Sequence, residues 1–146
     1  MRTLRLTLDD LELARRAFAM MGDVFGEVDR EALSDGYLGE ILARGDLWAL
    51  AAVHDGEPVG ALTAHLLPMT RAETAELFIY DLAVRPDWQR RGVGRALVQH
   101  LIAAAEPATV SSIFVPADQD DTDALAFYRA LGGQGDAVTI FTFPPG

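Results

Sequence analysis

Arg2 to Leu8 alternates apolar and polar side chains, the period of a strand lying half-buried on a sheet, and Asp9 and Asp10 follow as N-cap candidates for a helix running to about Met21. From Gly22 to Leu33 the periodicity fades and the chain turns acidic, which predicts a surface loop; Ser34 or Asp35 then caps a second helix that ends near Arg44-Gly45. Leu47 to Val53 is an unbroken apolar run, Asp55-Gly56 is a tight-hairpin signal, and Pro58 to Leu67 resumes as the returning strand. Ala75 to Val84 is rich in β-branched, aromatic and apolar residues and stops at Arg85-Pro86, because proline forces its predecessor into extended geometry. Gly92 to Ala105 carries Val93, Leu97, Val98, Leu101 and Ile102 on one helical stripe, and Pro107 ends it. Val110 to Val115 reads as a strand, Asp121 to Leu131 as a helix closed by Gly132-Gly133, and Ala137 to Phe143 as a last strand. The order β-α-α-β-β-β-α-β-α-β predicts an α/β (α+β) fold with a mixed sheet flanked by helices.

Composition narrows what such a fold can do. A chain of 146 residues that is 50% hydrophobic suits one domain over 1–146, and no repeat or linker interrupts it. No apolar stretch approaches the ~18 residues that span a bilayer, and Asp9 and Asp10 stand where a secretory leader needs an apolar core, so a cytoplasmic protein without membrane attachment is expected. Without cysteine the chain has no disulfide and no thiolate ligand or nucleophile; His54, His65 and His100 are too scattered for a ligand motif, so no metal is expected. A net charge of -10 disfavours nucleic acid and favours a neutral or cationic partner. Against that background Arg85, Arg90, Arg91 and Arg95 face only Asp87 between positions 85 and 95, a local +3 in an acidic body.

That basic island coincides with the most informative phrase, Asp81-Leu82-Ala83-Val84-Arg85-Pro86-Asp87-Trp88-Gln89-Arg90-Arg91-Gly92-Val93-Gly94-Arg95, which joins a strand end to a helix start. The N–H groups from Arg91 through Arg95 converge at the positive end of the helix dipole, worth roughly half a charge, and Gly92 and Gly94 let a large anion such as a pyrophosphate come close. Strand-end Leu-Ala-Val, Arg-Pro, then Gln-x-x-Gly-x-Gly opening a helix resembles the acetyl-CoA motif of the GNAT acetyltransferases. Ala124-Leu125-Ala126-Phe127-Tyr128-Arg129-Ala130-Leu131-Gly132 resembles that family's later tyrosine-bearing helix. The resemblance implies a GNAT fold, a mixed, mostly antiparallel sheet of six to seven strands with about four helices. It implies acetyl-CoA as donor, held by Leu82, Ala83, Val84, Gln89, Arg90, Arg91, Gly92, Val93, Gly94 and Arg95. Leu82 and Val84 then offer main-chain groups where the strand splays, and Tyr128 hydrogen-bonds or protonates the departing thiolate.

A narrower resemblance, to the class I aminoglycoside 3-N-acetyltransferases, rests on Phe25-Gly26-Glu27-Val28-Asp29, Asp35-Gly36-Tyr37-Leu38, Ala49-Leu50-Ala51-Ala52, Glu76, Ile79-Tyr80-Asp81-Leu82-Ala83-Val84, Phe114-Val115-Pro116-Ala117-Asp118 and Asp121. Thr142 departs from it, standing where an acidic residue is frequent. The implied acceptor is a polycation, and two acidic stretches suit it: Glu27, Asp29, Glu31 and Asp35, and the run Asp118, Asp120, Asp121 and Asp123. Either stretch also reads as a solvated, helix-capping face. Asp81 and Glu76 are the candidate bases for deprotonating the amine, with Asp81 favoured and Tyr80 shaping the acceptor pocket. Strand period places the two carboxylates on opposite faces unless a bulge intervenes. Another amine acceptor (a polyamine, an amino acid, a protein amine) and a non-catalytic acyl-CoA module remain the alternatives, and the apolar last strand allows a homodimer.

Overall fold

Arg2–Arg5 (β1), Leu47–His54 (β2), Glu57–Pro68 (β3), Ala75–Val84 (β4) and Val110–Phe114 (β5) form one sheet in the order β1-β2-β3-β4-β5. Every pairing is antiparallel except β4 with β5. The structure, a computed structural model, describes residues 1–146, which divide into two units, Met1–Pro116 and Ala117–Gly146. Asp55 and Gly56 both adopt positive φ, 51° and 78°, the geometry that a two-residue hairpin between β2 and β3 requires. No helix is long and apolar enough to cross a membrane.

In the first unit, helix α1 (Leu11–Val24) is entered through a short 3-10 turn that Thr7 caps. The Thr7 hydroxyl accepts from the Asp9 N–H at 3.2 Å, and the Asp10 carboxylate accepts from the Thr7 N–H at 2.8 Å. Asp10 holds the N-cap position of α1 as expected but makes no side-chain cap bond there; the side-chain cap belongs to Thr7 at the 3-10 turn, where the reciprocal pair satisfies two orphan donors at once. Ser34 caps α2 (Asp35–Leu42) as expected, accepting from the Tyr37 N–H at 3.1 Å.

Cross-strand partners share a face of the sheet, so the register sorts the core into two sides. Ala49, Ala51, Ala61 and Ala83 line the side that packs against Ala14, Ala17, Met20 and Met21 of α1 and Leu42 of α2. On the other side lies α3 (Val93–Ala105), whose Val93, Leu97 and Leu101 are fully buried; Thr3 and His100 join β1 to this helix at 2.8 Å. At Gly60 a Cβ would stand 2.6 Å from Val93 Cγ1 and 3.2 Å from Leu97 Cδ1, so β3 and the start of α3 meet at a distance that only glycine permits.

In the second unit Asp121 caps α4 (Thr122–Ala130) by accepting from the Ala124 N–H at 3.1 Å. Gly132, at φ 95°, ends the helix: its N–H bonds the Arg129 carbonyl at 3.0 Å and the Gly133 N–H bonds the Tyr128 carbonyl at 2.9 Å. Four helices match expectation, but five strands replace the expected six to seven. Ala137–Phe143 has the composition of a strand and forms none, since composition alone does not supply the neighbour whose backbone completes a hydrogen-bond ladder.

Replacing Gly60 with alanine is expected to cost about 1–3 kcal/mol through overpacking against Val93 and Leu97. Urea denaturation checks it: the midpoint falls while the slope stays that of the parent.

Candidate functional site

β5 pairs with β4 only from Ala75 to Phe78, which leaves the β5-side edge of β4 unpaired from Ile79 to Val84. The Arg85 N–H donates to the Val59 carbonyl at 2.9 Å, so the alternation of an antiparallel ladder turns the Ala83 backbone toward β3. The Leu82 and Val84 backbones therefore face the open edge. Gln89 Nε2 donates to the Val84 carbonyl at 3.1 Å, folding the chain back over the strand end.

Beyond it a 3-10 turn, Pro86–Trp88, leads to Arg90 at φ 62° and Gly92 at φ 81°, two left-handed residues that swing the chain into α3. No side chain caps α3, so its first N–H groups point outward unclaimed, and a Cβ at Gly92 would meet nothing within 4 Å. An uncapped, 13-residue helix with open space at its N-cap glycine fits a pyrophosphate. The four arginines of the island are not equivalent. Arg85 is committed to Asp87, Nε to Oδ1 at 3.0 Å, which holds the Asp87 carboxyl below the usual range. Arg91 lies over the Trp88 ring at 4.8 Å, and the His54 ring approaches the same indole at 4.7 Å. Arg90 and Arg95 are exposed and form no ion pair. Val93 is buried and Gly94 partly buried, so these two contribute backbone only.

The carboxylates are arranged by an irregularity in β4. Thr63 pairs with Asp81 and Ala64 with Ile79, so Tyr80 is an extra residue opposite no partner. Past this bulge Asp81 shares a face with Thr63, His65, Phe78 and Glu76, on the α1 side of the sheet. The expected opposition of Glu76 and Asp81 is thereby removed. Glu76 is tethered by the Ser112 hydroxyl at 3.0 Å. Asp81 carries no hydrogen bond of that kind and is partly buried, and this desolvation raises its pKa; the charge of Glu27 pushes in the same direction and His65 opposes it. An aromatic wall adjoins them, His65 edge-on to Tyr80 at 5.4 Å, Tyr80 edge-on to Phe78 at 5.7 Å, and Phe78 stacked on Phe114 at 5.1 Å.

Glu27 reaches Asp81 because of how α1 ends. Gly26, at φ 73°, donates to the Asp23 carbonyl at 3.1 Å and the Glu27 N–H donates to the Gly22 carbonyl at 2.9 Å, the paired bonds of a glycine-terminated helix. Arg30 then straps the loop to the helix, bonding the Ala19 carbonyl at 2.6 Å and the Asp23 carboxylate at 2.8 Å, and a Cβ at Gly22 would overlap its guanidinium. Glu27, Asp29 and Glu31 line one hollow of about 350 Å³ with Asp23. Asp35 stands apart from it, ion-paired with Arg15. In the second unit Asp118 is exposed, Asp121 serves as the α4 cap, and burial raises the Tyr128 phenol above its ordinary pKa, with the charge of Asp121 adding to the shift.

Sequence reasoning passed over His65, Trp88 and His54. His65 and His54 read as isolated histidines, and only the β3–β4 register and the turn after Val84 reveal their aromatic neighbours.

The family profile described as the acetyltransferase (GNAT) family matches residues 13–132. The solved aminoglycoside acetyltransferase HMB0005, from an uncultured soil metagenomic sample, is similar over 99% of this chain and 98% of its own, at 30% identity and a TM-score of 0.94. The aminoglycoside acetyltransferase meta-AAC0020, also from an uncultured soil metagenomic sample and solved in complex with sisomicin, is similar over 99% and 96%, at 26% identity and a TM-score of 0.95. Among curated proteins, the ribosomal protein bS18-alanine N-acetyltransferase of Escherichia coli (strain K12) is 36% identical over 64 residues, 44% of this chain and 43% of that enzyme. The chain thus spans less than half the length of this curated relative.

Changing Glu27 to glutamine removes a negative neighbour, so the Asp81 pKa is expected to move down toward the ordinary carboxylate range. Carboxyl-carbon NMR titration of parent and variant reads the shift directly, and an upward or absent displacement contradicts the coupling.

Proposed function

The chain belongs to the acetyltransferase (GNAT) family, and on that premise we propose that it transfers the acetyl group of acetyl-CoA to the 3-amino group of an aminoglycoside. The observation that carries the reading is the partly buried Asp81 beside Glu27 and the Tyr80 wall, in a chain similar over nearly its whole length to aminoglycoside acetyltransferases. Acetyl-CoA supplies the activated thioester.

On this reading the uncapped N–H groups from Gly92 to Arg95, with Arg90 and Arg91, receive the pyrophosphate. The open edge at Leu82 and Val84 offers main-chain partners to the pantetheine arm, and Gln89 holds that strand end in place. Ala83, turned inward, supports the two from the core side. Glu27 and Asp29 attract and orient the ammonium groups of the sugar, with Asp118 and Asp121 adding to the negative field; Asp35 does so least, being neutralised by Arg15.

Asp81 accepts a proton from, or orients, the amine. Its raised pKa brings it closer to the working pH and makes it a better base than an ordinary aspartate. The attack is direct, in a ternary complex, since neither a cysteine nor a Ser-His-Asp arrangement offers an acyl-enzyme route. Tyr128, held protonated by its raised pKa, donates to the departing sulfur. Glu76, tethered to Ser112, is the weaker base candidate and suits a structural role in the β4–β5 pair.

The likeness to the ribosomal-protein-alanine enzyme favours a second acceptor, the N-terminal amine of a protein. A thiol-release assay against gentamicin-class and kanamycin-class drugs, polyamines and alanine-terminated peptides separates the two, with the acetylated nitrogen mapped by NMR. Turnover on aminoglycosides with intersecting initial-rate lines is expected; turnover confined to peptides sinks the aminoglycoside reading, and parallel lines sink direct transfer. Asp81→Asn is expected to lower kcat about 100-fold or more while leaving the KM for acetyl-CoA near the parent value. In the parent the acidic limb of kcat/KM is expected above the range of an ordinary aspartate, and in Glu27→Gln it is expected to move to lower pH.

A further inference from the structure

Acetyl transfer to an ammonium group leaves a proton over. The amine enters with three N–H hydrogens, the amide keeps one, the released thiol takes up another, and the third has to reach water before the next cycle. Asp81 is partly buried and has no hydrogen bond through which to pass that proton on. Of the three histidines, His100 is bonded to Thr3 at 2.8 Å and His54 lies 3.3 Å from the Asp55 carboxylate; the ring nitrogens of His65 are engaged by no side chain or carbonyl. β3 lies between β2 and β4, and the register pairs His65 with Phe78, one step along the same face from the Thr63–Asp81 pair. On its other side His65 is paired with Leu47, and the Leu66 N–H donates to the Asp46 carbonyl at 2.8 Å, so β3 runs past the half-exposed Asp46. The charge of His65 is felt at both carboxylates. Burial and Glu27 raise the Asp81 pKa and His65 works against them; a hydrogen bond from Arg44 holds Asp46 below the usual carboxylate range and His65 adds to that effect.

We propose that His65 relays the proton taken up by Asp81 to solvent on the Asp46 side of β3, and so resets the base between turnovers; this rests on the reading of Asp81 as the base. The Asp81 carboxyl hands its proton to one ring nitrogen, directly or through one water. The imidazolium then loses a proton from its other nitrogen to water, and a carboxylate and a neutral imidazole remain. The ionisable groups around the ring are Asp81, Glu76 and Tyr80 on β4, Asp46 and Arg44 beside β2, and Glu27 after α1. Carboxylates predominate among them, and their field stabilises the transient imidazolium. His65 thus acts through Asp81 rather than on the amine. Its edge-on contact with Tyr80 at 5.4 Å is one that a phenyl ring also makes, so packing and proton transfer are separable by substitution.

His65→Phe keeps an aromatic ring against Tyr80 and removes both nitrogens, whereas His65→Ala opens room for free imidazole. Carboxyl-carbon NMR titration needs no acceptor: in His65→Phe the Asp81 pKa is expected to rise above that of the parent, because a cationic neighbour is gone. Thiol release is then followed with a gentamicin-class drug, or with the alanine-terminated peptide if only that turns over. Both variants are expected to lose about 10-fold or more in kcat, with the KM for acetyl-CoA near the parent value. Added imidazole is expected to restore kcat in His65→Ala, and a bulky buffer of the same basicity is not. An Asp81 pKa unmoved in His65→Phe, a His65→Phe variant as fast as the parent, or a His65→Ala variant that imidazole leaves slow, each overturns the relay. The two levels fail differently. Asp81→Asn turning over at the parent rate removes the base assignment and the relay with it, whereas a slow Asp81→Asn beside a fast His65→Phe removes the relay alone.

Discussion

β4 has two neighbours for its first four residues and one for the rest, and that imbalance governs what the molecule can do. Up to Phe78 the strand is held on both sides, by β3 and β5; after it, only β3 remains. An interior strand normally spends every backbone group on its ladder. Here the departure of β5 leaves Leu82 and Val84 with outward-facing groups next to the N-terminus of α3, which no side chain caps. On the proposed reading, an extended thioester arm and a pyrophosphate would be met by unspent backbone hydrogen-bonding capacity rather than by a dedicated set of side chains.

Tight packing sets the position of that helix terminus. Gly60 lets α3 settle onto β3 at Val93, the first residue of the helix, so the open N–H groups at the helix start are referenced to the sheet through a contact too short for any Cβ. Across the sheet, the alanines at 49, 51, 61 and 83 let α1 come close, and the glycine-terminated end of α1 delivers Glu27 toward Asp81. The open N–H groups lie on the α3 side, and the carboxylates of Asp81 and Glu27 lie on the α1 side. The two charges are kept on different faces of one sheet.

Much of this was legible in the amino acids. Asp55-Gly56 predicts a turn that its positive φ values bear out, and the Ala75–Val84 composition predicts an interior strand. The Gly-x-Gly turn predicts the uncapped helix start. What was not legible depends on a partner's register. The bulge at Tyr80 exists only relative to Thr63 and Ala64, so no inspection of β4 alone aligns Asp81 with Glu76 and Phe78. Ala137–Phe143 shows the converse: its composition announces a strand, but whether a ladder forms is a property of what lies beside it. The 3-10 turn before α1 was not legible either: Thr7 caps it by closing the reciprocal pair with the carboxylate three residues on, and Asp10 keeps the N-cap position of α1 without a side-chain bond of its own.

The strap formed by Arg30 over Gly22 carries one further implication. The loop bearing Glu27 and Asp29 is moored to α1 by a guanidinium that occupies the volume where any other residue at 22 would keep its side chain. Descendants of this protein can therefore loosen or re-angle their acidic rim by a single change inside a helix, at a position that touches no reactant. On the proposed reading, diversification of the accepted amine would have a route that leaves Asp81 and Tyr128 untouched.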